Sequence, residues 1–142
     1  GRKYIGTLSK YYFQDVGLRN ALLNFRQVEE THIMENIIYN ELRSRGYRVD
    51  VGMVEVRTSS ERKQLEVDFV ANKGDRRYYI QSAYTLPDEA KREQELASLK
   101  RIGDSFKKII IVRDDIAPYY DDNGVRIMGL MDFLLNAESE DF

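Results

Sequence analysis

Ile33, Ile37, Ile38 and Leu42 recur at helical spacing among polar residues, so the stretch from about Glu29 to Arg45 reads as a long amphipathic helix. Gly46 suits its C-cap, and Arg43 and Arg45 suit the negative end of its dipole. Tyr47–Val56 alternates as a first strand, Thr58–Lys63 reads as a polar turn, and Leu65–Ala71 as a second strand. Asn72-Lys73-Gly74-Asp75 is a hairpin turn leading into a third strand over Arg77–Ala83. Pro87-Asp88-Glu89 opens a second helix with Asp88 as N-cap and Leu96 and Leu99 on its inner side. Lys108–Val112 is a continuous apolar run, the mark of a central strand covered on both faces. Val125–Met128 is a shorter strand, and Met131–Leu135 a closing helix. This order predicts an α/β fold: a mixed sheet of about four to five strands with helices on both faces.

Residues 1–28 read as a lead-in from an upstream region, with Lys10–Phe13 strand-like, Asp15–Leu18 a turn and Leu18–Leu23 a helical turn. The main domain is expected over 29–137, and 138–142 is an acidic tail. The chain opens Gly1-Arg2-Lys3 without an initiator methionine, so it reads as a piece of a longer polypeptide. Its 142 residues are enough for one hydrophobic core.

Two polar residues break otherwise apolar strands. Asp68 lies between Val67 and Phe69, and Gln81 follows Tyr78-Tyr79-Ile80. Neighbouring strands of a hairpin bring same-face side chains together. Hard oxygen ligands converging in this way are what Mg2+-dependent phosphodiester cleavage requires. Asp68, Gln81 and the Ser82 carbonyl are therefore the candidate metal ligands, and Glu35 on the preceding helix the candidate third side chain. Each has a blander reading: Glu35 as a solvated carboxylate, Asp68 as an outward-facing strand residue, Gln81 as a hydrogen-bonded core amide. His32 lies one turn before Glu35, but a lone histidine is a poor basis for a metal site or a hydrolytic triad. The tyrosines suit base stacking and, more simply, the edges of a core.

Charge narrows the partners. The formal net charge is −2, so attraction to nucleic acid must come from a local basic face. Arg57, Arg62 and Lys63 form one basic group and Lys73, Arg76 and Arg77 another. At one end of the hairpin the two groups would make a positive rim beside Asp68; otherwise they belong to a solvated surface balanced by Glu55 and Glu61. The chain has no cysteine, which excludes disulfides, thiol catalysis and Cys-ligated zinc, and is compatible with a cytoplasmic setting. It has no apolar run long enough to span a bilayer, no signal-peptide pattern, and no P-loop or dinucleotide-binding glycine loop.

Tyr11-Tyr12-Phe13-Gln14-Asp15-Val16-Gly17-Leu18-Arg19-Asn20 resembles the K-Y-Y-F-x-D-x-G-L-R-N opening of the DUF4143 family. The likeness continues through Glu35–Leu42, Arg45–Val49, Glu66–Ala71, Tyr79–Tyr84, the Arg92-Glu93 helix and Lys107–Ile111, nearly the whole chain in order. The resemblance implies a restriction-endonuclease-like core of the PD-(D/E)XK type, forming the C-terminal part of a prokaryotic AAA-type ATPase. It matches Glu35 to the helix acid, Asp68 to the metal-binding aspartate and Gln81 to the third ligand. Ala83 stands where that pattern has lysine, and alanine can neither assist water activation nor offset developing charge. Lys91 and Arg92 on the following helix are the candidate substitutes.

The expected function is a nuclease-like accessory domain with DNA as partner, a degenerate site, Mg2+ as its ion, and ATP bound only outside this chain. Two alternatives stand beside it: an active Mg2+-dependent endonuclease, and a non-catalytic protein-interaction domain that regulates the ATPase.

Overall fold

The computed structural model describes residues 10–12, 14 and 30–136. The predicted turn at Asp15–Leu18, the helical turn at Leu18–Leu23 and the acidic tail lie outside the described residues. Helix α1 spans Glu30–Ser44. Its apolar face is rotated slightly from the predicted one: Met34, Ile38 and Leu42 are fully buried, while Ile33 and Ile37 are half-buried. The helix stops at Gly46, whose φ of 88° is left-handed. Tyr47 N–H donates to Leu42 C=O and Gly46 N–H to Arg43 C=O, each at 3.0 Å, the pairing that closes a Schellman motif.

Strand β1 covers Arg48–Arg57, β2 Arg62–Lys73 and β3 Arg76–Ala83. Helix α2 follows over Glu89–Leu99, then β4 over Lys107–Val112, β5 over Tyr119–Tyr120, β6 over Arg126–Gly129 and α3 over Leu130–Leu135. Asp88 caps α2 as predicted, its carboxylate accepting from Lys91 N–H at 2.8 Å. The sheet order is β1-β2-β3-β4-β6-β5. β1, β2 and β3 pair antiparallel, β3, β4 and β6 parallel, and β5 antiparallel to β6.

The sheet separates two apolar clusters. On one face Met34, Ile38 and Leu42 of α1 and Phe133 of α3 pack on Phe69, Ile80, Ile109 and Ile111. On the other, Leu96 and Leu99 of α2 pack on Val67, Tyr79, Ala83, Ile110 and Val112. β4 contributes alternately to both, which is why its sequence is apolar without a break.

Three expectations need correction. Among the described residues the sheet has six strands, because Tyr119–Tyr120 adds a short edge strand with no alternation to announce it. The β1–β2 hairpin extends further than expected, so Arg62 and Lys63 belong to β2 and not to a turn. Lys10, Tyr11 and Tyr12 are not in a strand. Tyr12 instead stacks on Tyr39 of α1, centroids 4.1 Å apart and planes within 11°. Of the two readings of the basic groups, the solvated surface holds and the single rim does not, since the twelve residues of β2 keep the groups roughly 35–40 Å apart. Arg57 and Arg62 both pair with Glu55, at 3.2 and 3.0 Å.

One irregularity shapes the site. Asp50 pairs with Val70 but Gly52 pairs with Val67, so Val51 alone faces both Asp68 and Phe69. This β-bulge turns two consecutive residues of β2 toward α1. Phe69 enters the core there, and Asp68 is aimed beside it. A Cβ on Gly52 would lie 2.8 Å from Val70 Cγ2 and 3.0 Å from Val67 Cβ, so the close approach at the bulge requires glycine.

Candidate functional site

The bulge places Asp68 on the α1 side, and alternation puts Glu66 on the same side. Glu35 approaches from α1. The three carboxylates meet at the ammonium of Lys10, whose Nζ lies 2.5 Å from Glu66 Oε1, 3.4 Å from Asp68 Oδ1 and 3.7 Å from Glu35 Oε2. All four side chains are largely shielded from water, Asp68 most of all at 14% exposure. Tyr12, two residues from Lys10, anchors that segment against Tyr39 and, at 6.1 Å, against Phe69.

Burial pushes the Asp68 carboxyl up to about 7. The Ser82 N–H and the Lys10 charge pull it down, while Glu35 and Glu66 push it up again. For Lys10, burial acts to lower the pKa. The Glu66 hydrogen bond and the charges of Asp68 and Glu35 outweigh it, so the group titrates above its ordinary range. Three acids around one base leave a local excess of negative charge, and retaining a proton on Asp68 relieves part of it.

Gln81 has a different setting. Its Oε1 accepts from Asp68 N–H at 2.7 Å, and its Nε2 donates to Ser98 Oγ of α2 at 3.2 Å. The paired ladder between β2 and β3 runs from Lys73↔Arg76 to Phe69↔Ile80. Just beyond it, the Gln81 amide satisfies the N–H that the bulge would otherwise strand. The amide therefore lies against α2, on the side of the sheet away from Glu35. Ser82 meets Asp68 through its N–H, which donates to Oδ2 at 2.8 Å. Ala83, 2% exposed, packs in the α2-side core. Lys91 pairs with Glu95 and Arg92 with Glu89 on their own helix, and His32 is exposed.

The structure thus brings Glu35 and Asp68 together and sets Gln81 behind Asp68 as a support for the strand. Replacing Gln81 by Leu should cost about 1–3 kcal/mol in urea unfolding, because the Asp68 N–H and Ser98 hydroxyl would lose their partner inside the protein. An unchanged midpoint would show that the amide does not serve the bulge. Sequence reasoning missed Glu66 and Lys10 as members of the cluster. Glu66 was detectable, lying two residues before Asp68 on an alternating strand; nothing local linked Lys10 to residues far along the chain.

The residues as placed do not fit a divalent ion. The carboxylates offer suitable oxygens, but the Lys10 ammonium occupies their meeting point and Gln81 is engaged elsewhere. Among the described residues, no group of three or more His, Cys, Asp or Glu side chains is arranged to hold a metal. Nor is any helix among them long and apolar enough to cross a membrane.

Comparison with known proteins agrees with the sequence resemblance at the family level. The model of the family described as "Domain of unknown function (DUF4143)" matches residues 30–133. A Haemophilus influenzae protein described as "Uncharacterized protein" is 33% identical over 138 residues, 95% of this chain. The chain spans 31% of that relative's length.

Proposed function

We propose that this chain, which belongs to the DUF4143 family, is a nuclease-like accessory domain that associates with DNA without cutting it efficiently. The observation that carries this reading is the Lys10 ammonium among Glu35, Glu66 and Asp68. A helix acid and a strand acid lie within reach of each other, as in the PD-(D/E)XK pattern that the sequence resembles. The cation beside them belongs to the protein itself. With Ala83 in place of the strand lysine, the chain also lacks the usual group for assisting water attack.

Attachment to a larger protein is part of the proposal, supported by a relative more than three times the length of the matched segment. An AAA-type ATPase working in the cytoplasm is the partner implied by the resemblance. ATP would be bound by that part of the polypeptide, since this chain carries no P-loop.

Supercoiled plasmid incubated with the protein and Mg2+ or Mn2+, beside an Asp68→Ala control, tests the reading. The expected result is no nicking that depends on Asp68. Asp68-dependent nicking would establish the competing reading, an active metal-dependent endonuclease. DNA affinity should fall steeply as salt rises; its absence at low salt would remove the DNA association.

A further inference from the structure

β1 forms one edge of the sheet, and no strand among the described residues pairs with its outer side. The opposite edge is the two-residue β5, whereas β1 presents ten residues. A cleft of about 670 Å3 is lined by every residue from Arg48 to Val54 in turn. Side chains of a strand point alternately to opposite faces, so a cleft of this kind follows the backbone edge and not one face of the sheet. Two devices that commonly guard such an edge are missing, since β1 contains neither lysine nor proline. Its charges are already neutralised at the two ends. Arg48 pairs with Asp50 at 3.5 Å and Arg57 with Glu55 at 3.2 Å. Between them Val51-Gly52-Met53-Val54 carries no charge, and Val51, Met53 and Val54 are only half-buried. Val49, Val51 and Met53 alternate onto the α1 side, and Gly52, Val54 and Val56 onto the α2 side.

We propose that β1 pairs antiparallel with β1 of a second copy of this chain, about a two-fold axis at Met53. The open side of a strand is a row of backbone donors and acceptors that another strand satisfies. An edge with an uncharged middle and neutral ends is complementary to itself, as a two-fold contact requires. An axis normal to the sheet keeps the α1 sides of both copies together, so residues that face each other must share a side. That condition puts the axis at a residue and not between two. At Gly52 two glycines would face each other with nothing to pack. At Met53 the two methionines meet, and the partner's Val54 covers the gap at Gly52. Each charged side chain then faces an uncharged one: Arg48 the partner's Thr58, Asp50 the partner's Val56, Glu55 the partner's Val51 and Arg57 the partner's Val49. No like charges are opposed. Two strand edges bury less than the roughly 1,200 Å2 of a stable complex, so the dimer exchanges with monomer. The pairing uses neither the carboxylate cluster nor DNA.

Sedimentation velocity of the full chain, from micromolar to millimolar concentration, tests this. The wild type should pass from monomer to dimer as concentration rises. Met53→Glu sets two carboxylates face to face at the axis and should weaken dimerisation by about tenfold. Mixing Met53→Glu with Met53→Lys should recover a mixed dimer, because the opposed charges then attract; a folding defect would not be rescued in this way. The chain has no cysteine, so Met53→Cys supplies a single thiol. Mild oxidation should join two copies through it. Arg57→Cys should not cross-link, since its thiols would lie roughly 27 Å apart along the paired strands. Monomer at every concentration would overturn the pairing and leave the edge to a strand of another polypeptide. A dimer indifferent to Met53→Glu, or a Met53→Cys protein that cross-links no faster than Arg57→Cys, would also overturn it and place the contact elsewhere.

Discussion

Raising the pH from 4 to 8 is expected to destabilise the wild-type protein by about 4 kcal/mol relative to an Asp68→Asn variant. The direction follows from proton counts. Unfolded, Asp68 titrates near the ordinary 3.8; folded, burial holds it at about 7. Between those values the native state binds more protons than the unfolded state, so stability falls as pH rises through the window and levels off above it. The substituted asparagine has no proton to lose there, and its amide oxygen can still accept from Ser82 N–H. Urea unfolding of both proteins at pH 4, 6 and 8 measures the difference. Parallel stability curves would mean that the Ser82 N–H and the Lys10 charge fully offset the burial of Asp68, and would contradict the raised value.

Lys10→Met should be the second large effect, a loss of about 3 kcal/mol at pH 8. Removing the ammonium leaves Glu66, Asp68 and Glu35 facing one another without a counter-charge, and Met cannot donate to Glu66. The Lys10 contribution is present below the ordinary lysine value of 10.5 and is lost as pH rises toward its higher folded value. Within the working range its pH dependence therefore comes from the acids. By pH 5 Asp68 holds its proton, so the variant should lie closer to wild type there. Adding Asp68→Asn to Lys10→Met should recover part of the loss at pH 8, since the two groups act on one another. A Lys10→Met protein as stable as wild type at pH 8 would place the ammonium elsewhere.

The sequence is most legible where a single element carries its own signal. The Gly46 helix stop, the Asp88 cap, the β2–β3 turn and the unbroken β4 run each depend on local stereochemistry or burial, and each lies close to its predicted position. β5 is not legible, because two tyrosines after Pro118 have no period to read. The rotation of the α1 face follows from which side meets the sheet, a tertiary matter: Met34 is buried in place of Ile33.

The site divides along the same line. Asp68 and Gln81 are conspicuous because polar side chains in apolar strands need partners. Their partners are not readable. The bulge that turns Asp68 and Phe69 to one face arises from a mismatch between two strands, and only the paired register reveals it. Gln81 has two readings in the sequence, metal ligand and hydrogen-bonded core amide, and the structure holds the second, its amide completing the backbone bonding of that bulge. Lys10 reaches the cluster across 58 residues of chain, a contact for which alternation and spacing give no sign.

The carboxylate cluster has its own cation, Lys10, where a metal-dependent nuclease would hold an ion. Titrating Mn2+ into the wild-type protein at pH 7.5, with free ion followed by electron paramagnetic resonance, puts that assignment at risk. No saturable site is expected through the millimolar range. Binding of one equivalent of Mn2+ in the wild type, abolished by Asp68→Ala, would contradict it.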